Sequence, residues 1–257
     1  MNNGCPGIQC PLCLVSGQTT DVRGTDDRRY YLCSNCSLIF ADPAHYLSPA
    51  EEKARYETHE NSIKNPGYVR FLKRVVEPML PYLDRGMRGL DYGCGPGPTL
   101  SLLVRQQGIG CEDYDPLFAD RPLQPPYDFV FSTECFEHFY RPAMDIERIH
   151  ALLKPGGLLG IMTERWTTLE AFADWYYTRD PTHVSFYHAN SLDFLCIRFG
   201  FTPMWMDEKR VAIFRRNPSH SFRDPAKTSH AEPGAAADGG RDPRFCELTA
   251  SQRGRRC

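Results

Sequence analysis

A glycine-rich turn between two apolar segments most constrains the fold of this 257-residue chain. Residues 89–98 read GLDYGCGPGP, and apolar residues then recur at helical spacing from Leu100 to Val104, before Gly108. An extended segment, a glycine turn and a helix in this order form the first unit of a nucleotide-binding α/β sheet. The turn therefore predicts an α/β fold with a Rossmann-like, largely parallel sheet.

The spacing of the glycines indicates the kind of nucleotide. The dinucleotide fingerprint requires a third glycine at position 98, where this chain has Pro98. Instead, the acid Asp91 stands two residues before the first of three alternating glycines. A carboxylate there suits a ligand with positive charge, such as the ammonium and sulfonium of S-adenosylmethionine. Asp115 lies 18 residues after the last glycine, where a carboxylate can bind both ribose hydroxyls. The three glycines are Gly93, Gly95 and Gly97.

Further segments follow in the order typical of one family, so that residues 60–215 resemble a class I S-adenosylmethionine-dependent methyltransferase. They are Tyr127–Ser132 as the fourth strand, Glu134–His138 just after it, Leu153–Leu159 entering the fifth strand, and Asp180–Tyr187 before a helix. The resemblance implies that the glycine turn, with Cys94 inside it, passes the methionine end of the cofactor. It also implies that Asp115 binds the ribose and that Glu134 or its neighbours lie beneath the cofactor.

One part of the family pattern is absent. Only 12 residues separate Asp115 from Asp128, and four of them are proline. A βαβ unit needs about 30 residues, so the usual helix, third strand and helix do not fit. We expect a six-stranded sheet of order 2-1-4-5-7-6 that lacks the third strand. The adenine contact that normally follows that strand then needs a substitute, for which Asp120, Leu117 and Phe118 are candidates.

Three residues are candidate catalytic groups. Ligands of such sheets bind outside the carboxyl ends of the strands, and the loop after strand four carries Glu137 and His138. Imidazole titrates near neutral pH, so His138 is a candidate general base, with support of the loop as the alternative. By resemblance, some related small-molecule methyltransferases use a Glu-His pair here. His183 is a second candidate base, or else a packing or hydrogen-bonding residue.

Two aromatic features leave alternatives open. The aromatic side chains between Trp166 and Tyr177 either form a lid over the acceptor or pack on the sheet. Tyr68 either packs in the core or, with the loop 57–61, covers the cofactor.

Four cysteines form two C-x-x-C pairs with 19 residues between them. This spacing fits a tetrahedral zinc site, and four thiolates leave no open position for catalysis. The segment 1–44 resembles a zinc ribbon, although Leu14 and Ser37 stand where such ribbons often have glycine. We predict a structural zinc ion there and assign no role to the other seven cysteines. The four ligands are Cys10, Cys13, Cys33 and Cys36.

Composition divides the rest of the chain. Residues 45–216 carry nearly all the periodic apolar pattern and are the predicted methyltransferase domain. Residues 217–257 are rich in proline, glycine, alanine and charged residues and are predicted to be disordered. No apolar run reaches the roughly 20 residues of a membrane helix, and no secretory signal is recognisable, so a cytoplasmic protein without membrane contacts is expected.

The sequence therefore predicts a methyltransferase that modifies an oxygen or carbon atom of a small metabolite. One alternative is an enzyme that modifies RNA or protein and docks it through the zinc ribbon. The formal net charge of −2 and the acids between Arg23, Arg28 and Arg29 make a nucleic-acid partner less favoured. A second alternative is a non-catalytic binding module of the same fold, and a nicotinamide dehydrogenase ranks last. The sequence predicts neither the acceptor nor the oligomeric state.

Overall fold

The computed structural model describes residues 7–58 and 61–220. The prediction of a disordered tail therefore falls almost entirely outside the described residues. Cys5, Cys246 and Cys257 also lie outside them, as do residues 59–60 of the loop that was considered as a cover for the cofactor.

The described residues form ten strands and six α-helices. The strands are β1 (Thr19–Val22), β2 (Tyr30–Cys33), β3 (Ile39–Ala41), β4 (Arg88–Tyr92), β5 (Gly110–Tyr114), β6 (Tyr127–Thr133), β7 (Leu153–Met162), β8 (Ser185–Phe186), β9 (Phe201–Met206) and β10 (Val211–Arg216). The helices are α1 (Pro49–Tyr56), α2 (Pro66–Met79), α3 (Thr99–Arg105), α4 (Pro142–Leu152), α5 (Leu169–Ala173) and α6 (Ala189–Phe199).

The main sheet has six strands in the order β5-β4-β6-β7-β10-β9. The first four are parallel, and β10 runs antiparallel to both β7 and β9. In the numbering of the family this order is 2-1-4-5-7-6, so the prediction is confirmed. Residues 116–126, all of them described, contain only an isolated bridge between Asp115 and Ala119 in place of the third strand.

Helices cover both faces of this sheet, as parallel strands require. Helices α2 and α3 pack together, and α2 also contacts β7 and β10, whereas α4 packs against β6, β7 and α6. The central strand β6 is accordingly apolar, and its Phe129, Val130 and Phe131 are completely buried. The core side of α2 is formed by Leu72, Val75, Val76 and Met79.

Helix α2 is capped at its start and contains a proline near its end. The Asn65 side chain accepts hydrogen bonds from the backbone N–H of Gly67 and Tyr68, and Pro66 occupies the first turn. Pro78 lies in the last turn, and the helix continues to Met79. In that position proline removes only its own N–H bond, so the turn survives.

A second, antiparallel sheet has the order β1-β2-β3-β8. Its first three strands come from the N-terminal segment (residues 7–44), and β8 comes from residues beyond the fifth strand of the main sheet. Ile39 pairs with Phe186, and Phe40 pairs with Ser185. A β-ladder therefore joins the N-terminal segment to the part of the chain predicted to be the methyltransferase domain.

Aromatic side chains fill the core beneath the second sheet, and these include most of the stretch between Trp166 and Tyr177. Phe172 lies 5.6 Å from Tyr30 and 5.3 Å from Phe186 between ring centroids, and Trp175 lies 4.9 Å from Tyr177. Of the two interpretations of this stretch, packing is the one that the structure supports.

Within the described part of the chain, no helix has both the length and the apolar character needed to span a bilayer.

Candidate active site

A cavity of about 850 Å³ opens at the carboxyl ends of β4, β5 and β6. This is the edge where ligands of doubly wound sheets bind. It gathers nine of the ten residues that the sequence nominated for cofactor binding or catalysis, and only Glu137 does not line it. The nine are Asp91, Gly93, Cys94, Gly95, Gly97, Asp115, Glu134, His138 and His183.

The glycine turn needs glycine for two physical reasons. Gly93 and Gly95 have positive φ angles of 82° and 63°, a region that side chains disfavour. A Cβ atom on Gly93 would lie 2.4 Å from the Cys135 sulfur, and one on Gly97 would lie 2.1 Å from the backbone oxygen of Asn61. The turn is therefore packed closely against two neighbouring loops, and all three of its glycines line the cavity.

Asp91 is a buried carboxyl group at the wall of the cavity. Asp91 is 2% exposed, and its Oδ1 atom has no hydrogen-bond partner among the described residues. Burial, with the nearby charges of Asp113 and Asp115, raises the pKa of Asp91 to about 8. A cationic group in the cavity would satisfy this oxygen and favour the charged form.

Asp115 shapes the loop beside the glycine turn. Its Oδ2 accepts a hydrogen bond from the backbone N–H of Gly95 at 3.0 Å. Its Oδ1 accepts from the N–H groups of Leu117 at 2.8 Å and Phe118 at 3.2 Å. The carboxylate is thereby held at the cavity wall in one orientation, which suits binding of a pair of hydroxyl groups.

The three candidate adenine contacts are placed differently. Leu117 lines the cavity, whereas Phe118 and Asp120 are not among its lining residues. The ring of Phe118 instead lies 6.5 Å from that of Tyr56, between centroids, with the ammonium of Lys53 at 6.0 Å. Tyr68 lines the cavity and also packs against the main core, so both interpretations of this residue describe part of its surroundings.

Glu134 follows β6 and has a positive φ of 47°, which is uncommon for a residue other than glycine. Burial and the charge of Glu137 raise the pKa of Glu134 well above its usual range. The guanidinium of Arg210 lies 3.4 Å from its Oε1 and also bonds to Glu164. Arg210 comes from the turn before β10, so sequence spacing gave no indication of this pair.

Glu137, His138 and His183 form a compact cluster beside the cavity. The histidine ring centroids are 4.8 Å apart. His138 donates its Nδ1–H to the carbonyl of Thr182 at 3.1 Å, and His183 donates to that of Tyr177 at 2.7 Å. A carbonyl only accepts, so both Nδ1 atoms carry the proton and each Nε2 keeps its lone pair in the neutral ring.

The carboxylate of this cluster is buried, whereas both histidines line the cavity. Glu137 is completely buried, and one of its oxygens accepts the hydroxyl hydrogen of Tyr177 at 2.5 Å. Its other oxygen has no hydrogen-bond partner among the described residues. Burial and the charge of His138 lower the pKa of His183 to about 4, so its ring is neutral at physiological pH.

The loop that carries His183 is held by a side chain of the N-terminal segment. The guanidinium of Arg28 donates to the carbonyls of Pro181 at 3.1 Å, His183 at 2.9 Å and Asp180 at 3.2 Å, and also to that of Thr178. The backbone N–H of Val184 in turn donates to the carbonyl of Glu137 at 2.8 Å. These bonds fix the His183 loop against the turn that carries His138.

Helix α4 and its N-cap residue contribute a mostly polar stripe that the motifs of the sequence did not indicate. Arg141, Met144, Asp145 and Arg148 all line the cavity at i, i+3, i+4 and i+7 spacing. Arg148 donates to the hydroxyl of Tyr114 at 2.6 Å, and burial raises the pKa of Asp145 to about 6. Polar residues at helical period just after the Glu-His pair were the signal available in the sequence.

The four cysteines of the N-terminal segment converge as their spacing predicts. The sulfurs of Cys10 and Cys36 are 3.5 Å apart, as are those of Cys13 and Cys33, and all four lie within 4.8 Å of one another. Sulfurs bound tetrahedrally to zinc at about 2.3 Å lie roughly 3.8 Å apart. The arrangement fits one zinc ion with no rearrangement of the backbone.

Comparison with known proteins places the chain in a family. Residues 64–204 match the model of the methyltransferase domain, whereas a search of curated proteins found no match. One similar solved structure is the 1,6-didemethyltoxoflavin-N1-methyltransferase of Burkholderia thailandensis with bound 1,6-didemethyltoxoflavin and S-adenosylhomocysteine. It is 13% identical over 77% of this chain and 99% of that chain, with a TM-score of 0.46.

Another is the phospholethanolamine N-methyltransferase 2 of Haemonchus contortus with phosphomonomethylethanolamine and S-adenosylhomocysteine. It is 20% identical over 52% of this chain and 38% of that chain, with a TM-score of 0.42. Neither likeness bears on the acceptor. The match to the family model spans more than half of the chain, and the sheet has the Rossmann-like order of such enzymes. The chain belongs to the methyltransferase domain family, and it is an S-adenosylmethionine-dependent methyltransferase.

Proposed function

We propose that this enzyme transfers a methyl group from S-adenosylmethionine to an oxygen or carbon atom of a small metabolite. The observation that carries the proposal is one cavity lined by a buried carboxyl group with one unpartnered oxygen, by the glycine turn and by the His138 and His183 pair. The cavity volume falls within the range of about 300–1,000 Å³ that is usual for small-molecule sites.

The charge of the cavity supports a cationic cofactor. Five carboxyl groups and two guanidinium groups line it. At neutral pH burial favours the protonated forms of Asp91 and Glu134, and a ligand with positive charge beside them would favour their charged forms. The carboxyl groups belong to Glu52, Asp91, Asp115, Glu134 and Asp145, and the guanidinium groups to Arg141 and Arg148.

Each group on the cofactor side has a role that its geometry supports. Asp91 offers an unpartnered oxygen to the ammonium group, and the glycine turn allows close approach of the methionine end. Asp115, oriented by three backbone N–H groups, would accept hydrogen bonds from the ribose hydroxyls. Tyr68 covers the cavity from the side of α2. When bound, S-adenosylmethionine supplies an activated methyl group on a positively charged sulfur.

The acceptor side is then the region between His138 and α4. His138 points its protonated nitrogen at a backbone carbonyl, which leaves Nε2 to take a proton from an acceptor hydroxyl. His183 stays neutral beside it, and its own Nδ1–H likewise donates to a backbone carbonyl, that of Tyr177. Most of the rate enhancement is expected from positioning, because the methyl group transfers in line with its leaving sulfur.

We further propose that Cys10, Cys13, Cys33 and Cys36 hold one structural zinc ion. The zinc would crosslink the two turns of the N-terminal segment, which has little apolar core of its own. Two of the three arginines between the cysteine pairs are engaged within the chain, since Arg28 binds the His183 loop and Arg29 pairs with Asp21 at 2.7 Å, whereas Arg23 is exposed. Because Arg28 and Arg29 bind within the chain, a structural role of the N-terminal segment is favoured over docking of a macromolecule.

The experiment that tests the proposed function has two parts. Isothermal titration measures S-adenosylmethionine and S-adenosylhomocysteine binding to the protein and to Asp91→Asn, with Asp84→Asn as an exposed control. Incubation with methyl-labelled cofactor and cell extract, followed by separation of metabolites, RNA and protein, then identifies the acceptor class. Label in the metabolite fraction alone supports the proposal. Label confined to RNA or protein would overturn it, and absence of cofactor binding would indicate a non-catalytic module.

A second comparison addresses the role of His138. We expect His138→Ala to keep the affinity for S-adenosylhomocysteine within about twofold and to lose 10²–10⁴-fold in turnover, the usual contribution of a general base. Unchanged turnover would remove His138 from the mechanism.

A further inference from the structure

The cluster of Glu137, His138 and His183 has features that general-base chemistry does not require. A carboxylate oxygen and one ring nitrogen from each histidine all lie within 4.8 Å of one another. Atoms bound to one ion at about 2.0–2.2 Å are roughly 3–4 Å apart, so the three side chains need to close by only about an ångström. Two imidazoles and one carboxylate are a common donor set for divalent transition metals.

The hydrogen bonds around the cluster leave one nitrogen of each histidine available. Each histidine gives its Nδ1–H to a backbone carbonyl, which fixes the ring and leaves the Nε2 lone pair unused. Metal-bound histidines are oriented by this same kind of outer hydrogen bond. No hydrogen bond occupies either Nε2 within residues 7–58 and 61–220. The two carbonyls belong to Thr182 and Tyr177, and the Tyr177 hydroxyl also orients Glu137.

Glu137 provides the independent evidence for a ligand. Its side chain is completely buried, yet one carboxylate oxygen has no hydrogen-bond partner in the described part of the chain. A buried carboxylate with an unsatisfied oxygen is costly unless a cation or a donor meets it. The guanidinium of Arg210 pairs with Glu134 and Glu164, and that of Arg28 binds backbone carbonyls of the His183 loop.

We propose that Glu137, His138 and His183 bind one divalent metal ion of the zinc or manganese type at the wall of the cavity. Three protein ligands leave at least one coordination position open, as in catalytic rather than structural sites. Both histidines line the cavity, so that position faces the acceptor. The site is separate from the four cysteines and uses a different ligand chemistry.

The consequence for catalysis rests on the proposed methyltransferase function, whereas binding of the ion does not. An acceptor oxygen would occupy the open position, and the ion would lower the pKa of its hydroxyl group, whose proton passes to solvent. The ion, rather than His138 acting as a base, would then promote loss of the proton from the acceptor hydroxyl. This favours an acceptor with a hydroxyl group, and particularly one with two neighbouring oxygens.

Manganese binding to the full chain tests the inference without any turnover. The protein is prepared with zinc on its cysteines, and Mn²⁺ is chosen because thiolate sites strongly prefer zinc. Electron paramagnetic resonance of free Mn²⁺ measures how many ions bind. We expect one ion per chain, with binding weakened about 100-fold or more in Glu137→Gln and in His183→Ala, since even outer partners of metal ligands contribute 10–100-fold.

Matched controls separate loss of the site from loss of the fold. His45→Ala and Glu170→Gln alter the same residue types at exposed positions and should bind Mn²⁺ like the unmodified chain. Titration with S-adenosylhomocysteine reports whether the cofactor side of each variant is intact. If the unmodified chain binds no Mn²⁺, or if the cluster variants and controls bind it equally, the inference is overturned. Mn²⁺ binding without cofactor binding would overturn the proposed function but not the metal site.

Discussion

Asp91 makes the stability of the free enzyme depend on pH in a direction that few carboxylates produce. Its pKa is raised to about 8 in the folded chain by burial and by two neighbouring acids, against about 3.9 in the unfolded chain. Between these values the folded state holds a proton that the unfolded state has lost. Stability therefore falls as pH rises through this window, by about 1.4 kcal/mol per pH unit.

The size of the effect is large enough to measure. From pH 5 to pH 7 the Asp91 contribution alone removes on the order of 3 kcal/mol, and it levels off above pH 8. Asp91→Asn keeps the shape of the side chain and removes the titration. A change of this size moves the melting temperature of a domain of 150–250 residues by roughly 5–10 °C. The melting temperature of Asp91→Asn minus that of the unmodified chain should therefore rise by that amount from pH 5 to pH 7.

Thermal melts at half-unit pH steps provide the assay, with Asp84→Asn as a control at an exposed site. Because Asp91→Asn and the unmodified chain share all other titrating groups, the difference between their melting temperatures reports the titration of Asp91. Parallel curves for Asp91→Asn and the unmodified chain would refute the reasoning. A second readout is the proton released when S-adenosylhomocysteine binds near pH 6.5, which calorimetry in buffers of different ionisation enthalpy measures. The Asp91→Asn variant should release none and bind about 10–100-fold more weakly, the value of a hydrogen bond to a charged group.

Three further changes test other parts of the site. Gly97→Ala places a Cβ atom against the backbone oxygen of Asn61, so calorimetric titration should detect at least about tenfold weaker cofactor binding. Arg28→Ala removes the donor for the carbonyls of the His183 loop, and steady-state assays should find turnover lowered about tenfold or more with S-adenosylhomocysteine affinity unchanged. Tyr177→Phe removes the hydroxyl that orients Glu137, and Mn²⁺ binding should weaken 10–100-fold in the paramagnetic resonance assay. Equal values for variant and unmodified chain would contradict each of these in turn.

The parts of the fold that depend on local spacing were predictable from the sequence. The glycine turn requires glycine because of its own backbone angles and close contacts. A local requirement of this kind can be recognised as a short motif in the sequence. The missing third strand followed from chain length alone, because 12 residues cannot form a helix, a strand and a second helix. The convergence of the four cysteines likewise follows from two tight turns of known spacing.

The parts that depend on distant residues were not predictable in this way. Strand β8 is only two residues long, and its pairing with β3 joins positions about 146 apart in the chain. The Arg210 partner of Glu134 comes from a turn 76 residues later. The availability of the histidine nitrogens depends on which carbonyls lie nearby. These features arise from packing between elements, and no periodicity or motif records them.

The contact between Arg28 and the His183 loop links two sites that share no ligand. Arg28 lies between the two cysteine pairs, on the connection whose ends the cysteines draw together. Its guanidinium reaches the loop from a connection that the cysteines and the pairing of β2 with β1 and β3 hold in place. If zinc holds the cysteines together, zinc supply and thiol oxidation in the cell would act on turnover from outside the active site. Cofactor binding, which depends on the glycine turn, would be spared, so a chain starved of zinc would retain its cofactor and lose its reaction.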